Sequence, residues 1–341
     1  MGDLPPSIQE WKNLYDAALE FKRIRCWDWM WDSDIFGVQN PESGEIGYCC
    51  VMGRLGQHYA LAVYLGTEGL EGYLKIQSGE ISPDDIDALH VQKCLMVSFE
   101  DRKFLREPDF RVIKELKLKF RGRKSWPLFR SYRPGYLPWY LTKDEARYLT
   151  VALQQAIVVA LRFKEDKDML VPPKENQYLV RVSEKEGRGL KWKDEWLEPL
   201  PLEKEVVAEP IDEARLERIG KTVPRGRGIW EVDFFYFPGG VKEGERPYYP
   251  CTLLLVDRGS GFVLNAHLAK PSKYSSEFMD KFLSTIENIQ HLPKEVLAKK
   301  EEVFKLLEPI TSRLGIKLRK VERLISLEEV RAGMFEFFVR E

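Results

Sequence analysis

The chain has 341 residues, of which 44% are hydrophobic and 31% are charged. This composition is that of a globular protein and excludes a fibrous or disordered chain, and the length suits about two domains of ordinary size. The formal net charge is −1, from 53 basic and 54 acidic residues. This balance excludes a protein coated in positive charge but still allows a local basic patch.

Several features of the sequence indicate the cellular compartment of the protein. The N-terminal sequence is acidic and short of apolar residues, so we expect no signal peptide. The longest apolar helical stretch, residues 150–163, is interrupted by Gln154 and Gln155 and is too short to span a bilayer. The five cysteines are odd in number and lack a Cys-x-x-Cys spacing, which indicates free thiols. We therefore predict a cytoplasmic protein that does not contact a membrane.

In the first part of the chain, an amphipathic helix is predicted over residues 7–24, because Ser7 and Glu10 form a capping pattern ahead of an apolar stripe. A long helix from Thr142 to about Lys164 begins with the same pattern, and we predict it as the central helix of the first domain. Further predicted elements, in chain order, are strands at 47–52 and 58–65, a helix at 68–77, a strand at 93–100, a helix at 110–118, and a hairpin of strands at 177–182 and 190–196.

A linker is predicted at residues 198–210, where three prolines alternate with acidic residues. We place the domain boundary near residue 205. The sequence thus predicts an N-terminal α+β domain at 1–204 and a C-terminal domain at 205–341.

The second domain shows an ordered succession of elements. They are a helix at 212–219, strands at 229–237, 251–256 and 262–268, a helix at 275–288, a strand at 295–298, a helix at 301–314, a strand at 316–321 and a last helix that begins near Ser326. This order, over roughly residues 229–338, resembles the ribonuclease H-like fold of nucleases, transposases and many inactive relatives. We therefore predict a two-domain α+β protein whose C-terminal domain is a mixed sheet flanked by helices.

That resemblance implies a candidate metal site. In the superfamily, acidic residues on the first strand, near the end of the fourth strand and on the last helix hold two divalent metals. The positions that match in this chain are Asp233 on the first strand, Glu301 or Glu302 after the fourth, and Glu328 or Glu329 on the last helix. The implied catalytic set is Asp233, Glu301 and Glu329, with Mg²⁺ or Mn²⁺ bound at Asp233.

The sequence also departs from this pattern. Residues 298–302 contain no aspartate where active members usually carry one, and two lysines, Lys299 and Lys300, lie close by. Glu328 and Glu329 are also explained by helix capping and by the helix dipole. The alternative is a catalytically silent fold with Asp233 on the solvent face of an edge strand. His267, on a nearby predicted strand, is a candidate general base or a structural histidine. No cofactor motif is evident, and the sequence leaves open whether the protein is an enzyme.

The densest basic stretch, residues 111–133, holds nine cations against one acid, Glu115, with aromatic residues between them. Cations neutralise phosphates and aromatic rings stack on bases, so the stretch has the composition of a nucleic-acid surface. The candidate nucleic-acid-binding or phosphate-binding residues are Lys119, Arg121, Arg123, Lys124, Trp126, Arg130 and Arg133. The alternative is a solvated helix face followed by a loop whose aromatics pack on the core.

The whole chain resembles a bacterial family of two paired domains of unknown function. The resemblance is carried by residues 29–38, 45–53, 60–66 and 314–321. It implies an intracellular bacterial setting and supplies no activity. Three interpretations remain open: a binding protein for nucleic acid, a phosphate-rich partner or another protein; a metal-dependent nuclease or phosphotransfer enzyme that uses Asp233; and a non-catalytic structural or interaction module.

Overall fold

The computed structural model describes residues 4–82, 86–187, 189–202 and 212–339. The chain divides into two compact units, Met1–Leu202 and Glu203–Glu341. The predicted domain boundary near residue 205 lies outside the described residues.

The first unit is built around one mixed sheet. Its helices are α1 (Ile8–Ile24), α2 (Gly66–Gln77), α3 (Ile86–Val91), α4 (Glu107–Glu115) and α5 (Lys143–Glu165). Its strands are β1 (Phe36–Gln39), β2 (Ile46–Met52), β3 (Ala60–Leu65), β4 (Cys94–Glu100), β5 (Trp126–Tyr132), β6 (Tyr178–Glu186) and β7 (Gly189–Leu197). These seven strands run in the order β5-β4-β3-β2-β1-β6-β7, and neighbours are antiparallel except for the parallel pair β1 and β6.

The capping patterns predicted from the sequence determine where α1 and α5 begin. The side chain of Ser7 accepts a hydrogen bond from the backbone N–H of Glu10, and the Glu10 carboxylate accepts one from the Ser7 backbone in return. Thr142 and Glu145 form the same reciprocal pair at the start of α5. Each pair satisfies backbone donors that have no partner within the helix. α1 and α5 contact each other and pack on one face of the sheet, so the prediction of a central helix is confirmed.

Adjacent cysteines show how the strands of this sheet divide their side chains. Cys49 belongs to the core beneath α1 and α5, whereas Cys50 belongs to a smaller apolar cluster on the other face, beside α2. Opposite directions for neighbouring side chains are the rule in a strand. All five cysteines are buried and free.

The edge strand β5 differs from the sequence-based prediction, which assigned this stretch to a loop. Its residues alternate between half-buried and buried, with Pro127, Phe129 and Ser131 facing inward. Alternation of this kind is the signature of a strand with one buried face. A proline is tolerated here because β5 lies at the edge of the sheet, where one side of the strand forms no ladder.

Close packing of α2 depends on a glycine. A Cβ atom built at Gly72 would lie 2.0 Å from the backbone oxygen of Val91. No side chain fits at that distance, so glycine allows the helix to approach the chain that leads into β4.

The second unit contains the predicted order of elements. Its helices are α6 (Glu213–Thr222), α7 (Tyr274–Ile289), α8 (Glu301–Arg313) and α9 (Ile325–Val339), and its strands are β8 (Ile229–Tyr236), β9 (Cys251–Asp257), β10 (Val263–Ala269), β11 (Glu295–Ala298) and β12 (Lys317–Lys320). The sheet order is β10-β9-β8-β11-β12, with β9 antiparallel to both neighbours and β11 parallel to β8 and β12. This is the ribonuclease H-like arrangement, and the predicted fold class is confirmed.

Helices cover both faces of this second sheet. Trp230, Val232 and Phe234 of β8 face the main core, where α7 and α8 pack. Phe235 faces a smaller cluster that includes residues of α9. Because side chains alternate along a strand, Glu231 and Asp233 share the α9 face with Phe235.

In the described part of the chain, no helix combines the length and the apolar character needed to cross a membrane.

Candidate functional site

Asp233 lies at the centre of the second sheet, between β9 and β11, and is only 4% exposed. This corrects the alternative in which Asp233 occupied the solvent face of an edge strand. The Lys300 Nζ atom lies 3.8 Å from Asp233 Oδ1 and donates a hydrogen bond of 2.5 Å to the backbone oxygen of Phe234. No described residue forms a hydrogen bond with Oδ1 itself. The lysine therefore compensates the carboxylate by charge rather than by a direct hydrogen bond.

Burial and neighbouring cations act on Asp233 in opposite directions. Burial raises the pKa of the Asp233 carboxyl above its usual value, because desolvation penalises the charged form. Lys300 and, less strongly, Arg331 and Lys299 lower that pKa. The net direction is upward, so the surrounding cations offset the burial only in part.

Glu231, two residues before Asp233 on the same face, has a structural role that sequence reasoning missed. It is fully buried, and its Oε2 atom accepts a 2.9 Å hydrogen bond from the backbone N–H of Leu327, in the first turn of α9. Arg258 Nε lies 3.7 Å from Oε1. A central strand thus supplies the cap for the last helix. No local sequence signal could have shown this, since the two residues are 96 positions apart.

The remaining predicted carboxylates serve other partners or face solvent. Glu301 is exposed and pairs with Lys320 at 2.6 Å, and Glu328 pairs with Arg323 at 2.9 Å. Glu302 and Glu329 are also exposed. Within the ranges that the structure describes, no three His, Cys, Asp or Glu residues are grouped so that they could hold a metal ion. The structure therefore does not assemble the predicted set of Asp233, Glu301 and Glu329.

The residues around Asp233 do not fit a divalent cation. Mg²⁺ and Mn²⁺ require several oxygen ligands, and an ammonium group beside the carboxylate repels a second cation. Nor does His267 serve as a base for Asp233. It forms a 2.7 Å contact with Glu277 of α7, on the opposite face of the sheet.

In the basic stretch of the first unit, two cations are committed to the fold. Arg130 forms a bidentate pair with Asp109 of α4, at 2.9 and 2.8 Å, and both side chains are nearly buried. Lys124 donates hydrogen bonds to the backbone oxygens of Gly56 and Gln57, at 2.6 and 2.8 Å. These contacts join α4 to β5 and the β2–β3 turn to the chain before β5.

Trp126, the aromatic residue predicted to stack on bases, also packs against other residues of the unit. The Trp126 ring contacts the rings of Phe110 and Phe120, and the guanidinium of Arg102 lies 5.9 Å from its centre. Arg133 pairs with Glu145 at 3.0 Å. Of the seven predicted nucleic-acid-binding residues, Lys124, Trp126, Arg130 and Arg133 are therefore engaged inside the unit.

The other three predicted residues lie on the surface. Lys119, Arg121 and Arg123 are exposed, and Lys114 and Lys117 beside them are exposed as well. Arg123 is 3.7 Å from Asp101 with its side chain 90% exposed. The other four form no ion pair with any residue in the described ranges. We refer to residues 114–123 as the basic loop.

Two family models match separate parts of the sequence. Residues 11–181, just over half of the chain, match the family described as "Domain of unknown function (DUF7309)". Residues 215–335 match "Domain of unknown function (DUF6930)". The chain belongs to the DUF7309 family, and its second unit has the ribonuclease H-like strand order described above.

Similar proteins of known structure include an integrase catalytic core domain and an intasome. The HTLV-2 integrase catalytic core domain in complex with magnesium aligns in its dimeric form at 20% identity and a TM-score of 0.24, covering 32% of this chain and 67% of that one. The simian T-cell lymphotropic virus intasome in complex with PP2A regulatory subunit B56 gamma aligns at 22% identity and a TM-score of 0.23, covering 29% and 36%. No curated protein matches this chain.

Proposed function

We propose that the protein is a non-catalytic binding protein and that the basic loop of its first unit contacts the phosphates of a nucleic acid. The observation that carries the proposal is the exposure of five cations, Lys114, Lys117, Lys119, Arg121 and Arg123, within ten consecutive positions. Only one acid, Glu115, lies in the same stretch.

Exposed cations in one short segment are suited to a polyanion. Each phosphate contact releases condensed counterions, so binding gains free energy at low salt and loses it as salt rises. Cations already paired inside a protein contribute little to this effect, which is why Arg130 and Lys124 are left out of the proposed surface.

The orientation of the aromatics sharpens the expected specificity. Phe120 and Trp126 turn toward the interior and contact each other's rings, with centroids 5.5 Å apart. Phosphate contacts carry no base information, whereas stacking and base-edge contacts do. We therefore expect binding with little sequence preference.

A binding role is favoured over a nuclease because of the chemistry around Asp233. The carboxylate lies under α9 beside Lys300, and the partners implied by the fold resemblance, Glu301 and Glu329, are exposed and separate from it. An in-line displacement at phosphorus needs several oxygen ligands converging on metal ions. These residues do not offer that arrangement.

The test is a comparison of two double charge reversals in the first unit. Lys119→Glu with Arg121→Glu removes two cations of the basic loop, and the matched control, Lys174→Glu with Lys185→Glu, makes the same change in net charge at two other exposed lysines. Binding of a short DNA duplex and a single-stranded RNA would be followed by fluorescence anisotropy at several salt concentrations.

We expect the basic-loop variant to bind about ten-fold more weakly or worse, and its log–log salt slope to fall by about 2, whereas the control changes by less than about two-fold. Equal losses in both variants would show that only net charge matters and would overturn the assignment to this loop. Wild-type binding to an acidic polypeptide, without binding to either nucleic acid, would replace nucleic acid by an acidic protein as the partner.

A further inference from the structure

The second unit places an ammonium group at the position where the fold resemblance implied a metal. The paired residues Ala298 and Val232 end the parallel register between β11 and β8. Lys299 and Lys300 therefore follow directly beside Asp233 and Phe234. This register explains why the Lys300 side chain reaches the Phe234 oxygen and the Asp233 carboxylate together.

Several contacts hold Lys300 in this position. It is the residue that precedes α8, its Nζ atom lies 5.0 Å from the centre of the Phe234 ring, and its side chain is 30% exposed. A backbone oxygen and the face of an aromatic ring both attract an ammonium group. The ammonium is thus fixed between two groups of β8.

We infer that Lys300 is the built-in counter-cation of Asp233 and that the second unit consequently binds no divalent metal ion at this position. The other cations that act on this carboxylate are Lys299, beside Lys300, and Arg331 on α9. The acid on the same face of β8 is Glu231, two residues before Asp233. Glu231 is already used by the Leu327 N–H. Cations therefore outnumber the acids available to a metal.

The physical consequence is that Asp233 and Lys300 depend on each other. A buried carboxylate left without its cation is strongly unfavourable, whereas a neutral isostere at the same place is not. Removing the charge of Lys300 should therefore harm folding only while Asp233 can ionise.

The experiment measures thermal unfolding of the full chain in EDTA and in Mn²⁺. We expect Mn²⁺ to leave the wild-type melting temperature unchanged within about 1 °C. If a metal site existed, Mn²⁺ at 100 times the dissociation constant of that site would raise the melting temperature by several degrees. A rise in the wild type that Asp233→Asn abolishes would overturn the inference, because it would establish a metal site.

The charge variants test the counter-cation directly. We expect Lys300→Met to lower the melting temperature of the second unit by roughly 4 °C or more, and Asp233→Asn in the same background to restore most of the loss. Lys305→Met is the matched control, since Lys305 is an exposed lysine of α8 that lies 3.9 Å from Glu301. Equal effects of Lys300→Met and Lys305→Met would contradict the role of Lys300 as the counter-cation of Asp233.

A charge-preserving variant separates charge from packing. Lys300→Arg should keep most of the stability, because a guanidinium also supplies a positive charge to Asp233. If Lys300→Arg and Lys300→Met unfold at the same reduced temperature, the role of Lys300 is packing and the inference fails. This outcome is independent of nucleic-acid binding by the first unit.

Discussion

Among the residues that the structure describes, the buried side chains of the first sheet are apolar or uncharged, whereas the second unit buries three carboxylates, Glu231, Asp233 and Glu295. In the first unit, Arg130 on the edge strand β5 is nearly buried against Asp109, whereas Arg121 of the basic loop is exposed and forms no ion pair with the described residues.

The two units thus differ in whether their charged groups are available for binding or take part in folding. A buried carboxylate requires a compensating group, so the acids of the second unit are held by a helix N-terminus, a lysine and an arginine. Exposed cations do not require a compensating group. The unit whose topology implied catalysis therefore uses its acids structurally, while the other unit offers an uncommitted charged surface.

The largest effect is expected at the pair that joins α4 to β5 in the first unit. Asp109→Ala would leave Arg130 nearly buried without its partner, at a cost of about 3–5 kcal/mol in unfolding free energy. Urea unfolding would measure it, with Glu107→Ala as the control, because the pair of Glu107 with Arg111 is exposed and worth less than about 1 kcal/mol. A loss as small as the control would show that charge is not what joins these elements.

A smaller effect is expected where β8 caps α9 in the second unit. Glu231→Ala removes the acceptor of the Leu327 N–H and should destabilise this unit by about 2–3 kcal/mol, because a buried donor loses its partner. Ser7→Ala, at the exposed cap of α1, should cost only about 1 kcal/mol. Unit-resolved hydrogen exchange would compare the two, and equal losses would contradict a special role for the internal cap.

Two helical glycines should respond to alanine with opposite signs. Gly72→Ala forces a methyl group against the Val91 backbone oxygen and should destabilise the first unit by about 1–3 kcal/mol. Gly333 of α9 has open space around its Cβ position, so Gly333→Ala should stabilise the second unit by about 0.5–1 kcal/mol. Denaturation midpoints of both variants would check this, and a stabilising Gly72→Ala would disprove the close approach of α2.

The smallest effects concern pH. Burial tends to raise the pKa of Asp194 in β7, but hydrogen bonds from Arg162 and Arg181 outweigh it and the net pKa is lowered. Because the pKa of Asp194 is lower in the folded state, its ionised carboxylate stabilises the fold at pH values above the unfolded pKa of about 3.9. This stabilisation is lost as the pH falls through the folded pKa. Asp194→Asn should therefore be destabilising at neutral pH and nearly neutral in strong acid.

Asp233 should show the opposite dependence. Because the pKa of Asp233 is higher in the folded state, ionisation of this carboxyl destabilises the fold. The destabilisation begins as the pH rises above the unfolded pKa of about 3.9 and is complete above the folded pKa. Asp233→Asn should be neutral or stabilising at neutral pH, with no benefit at lower pH. Urea unfolding of both variants across acid and neutral pH would check the signs, and parallel profiles would contradict the contrast between the units.

Much of the local structure could be predicted because its causes are local. The capping pairs at Ser7 and Thr142 lie within one helical turn, and the element order of the second unit follows from apolar patterns and glycine turns. Strand β5 was missed because the basic residues of that stretch hid the inward alternation of Phe129 and Ser131. The linker assignment at 198–210 lies largely outside the described residues.

The candidate site shows most clearly what could not be predicted from the sequence. Sequence patterns were sufficient to predict the fold class, the position of Asp233 on the first strand of the second sheet, and the concentration of cations between residues 111 and 133. The folded structure was needed to show that β8 is central, that Lys300 faces Asp233, and that Arg130 pairs with Asp109. The reason is physical: local propensities reach a few residues along the chain, whereas the pairing of buried charges depends on sheet register and helix docking between residues far apart in sequence.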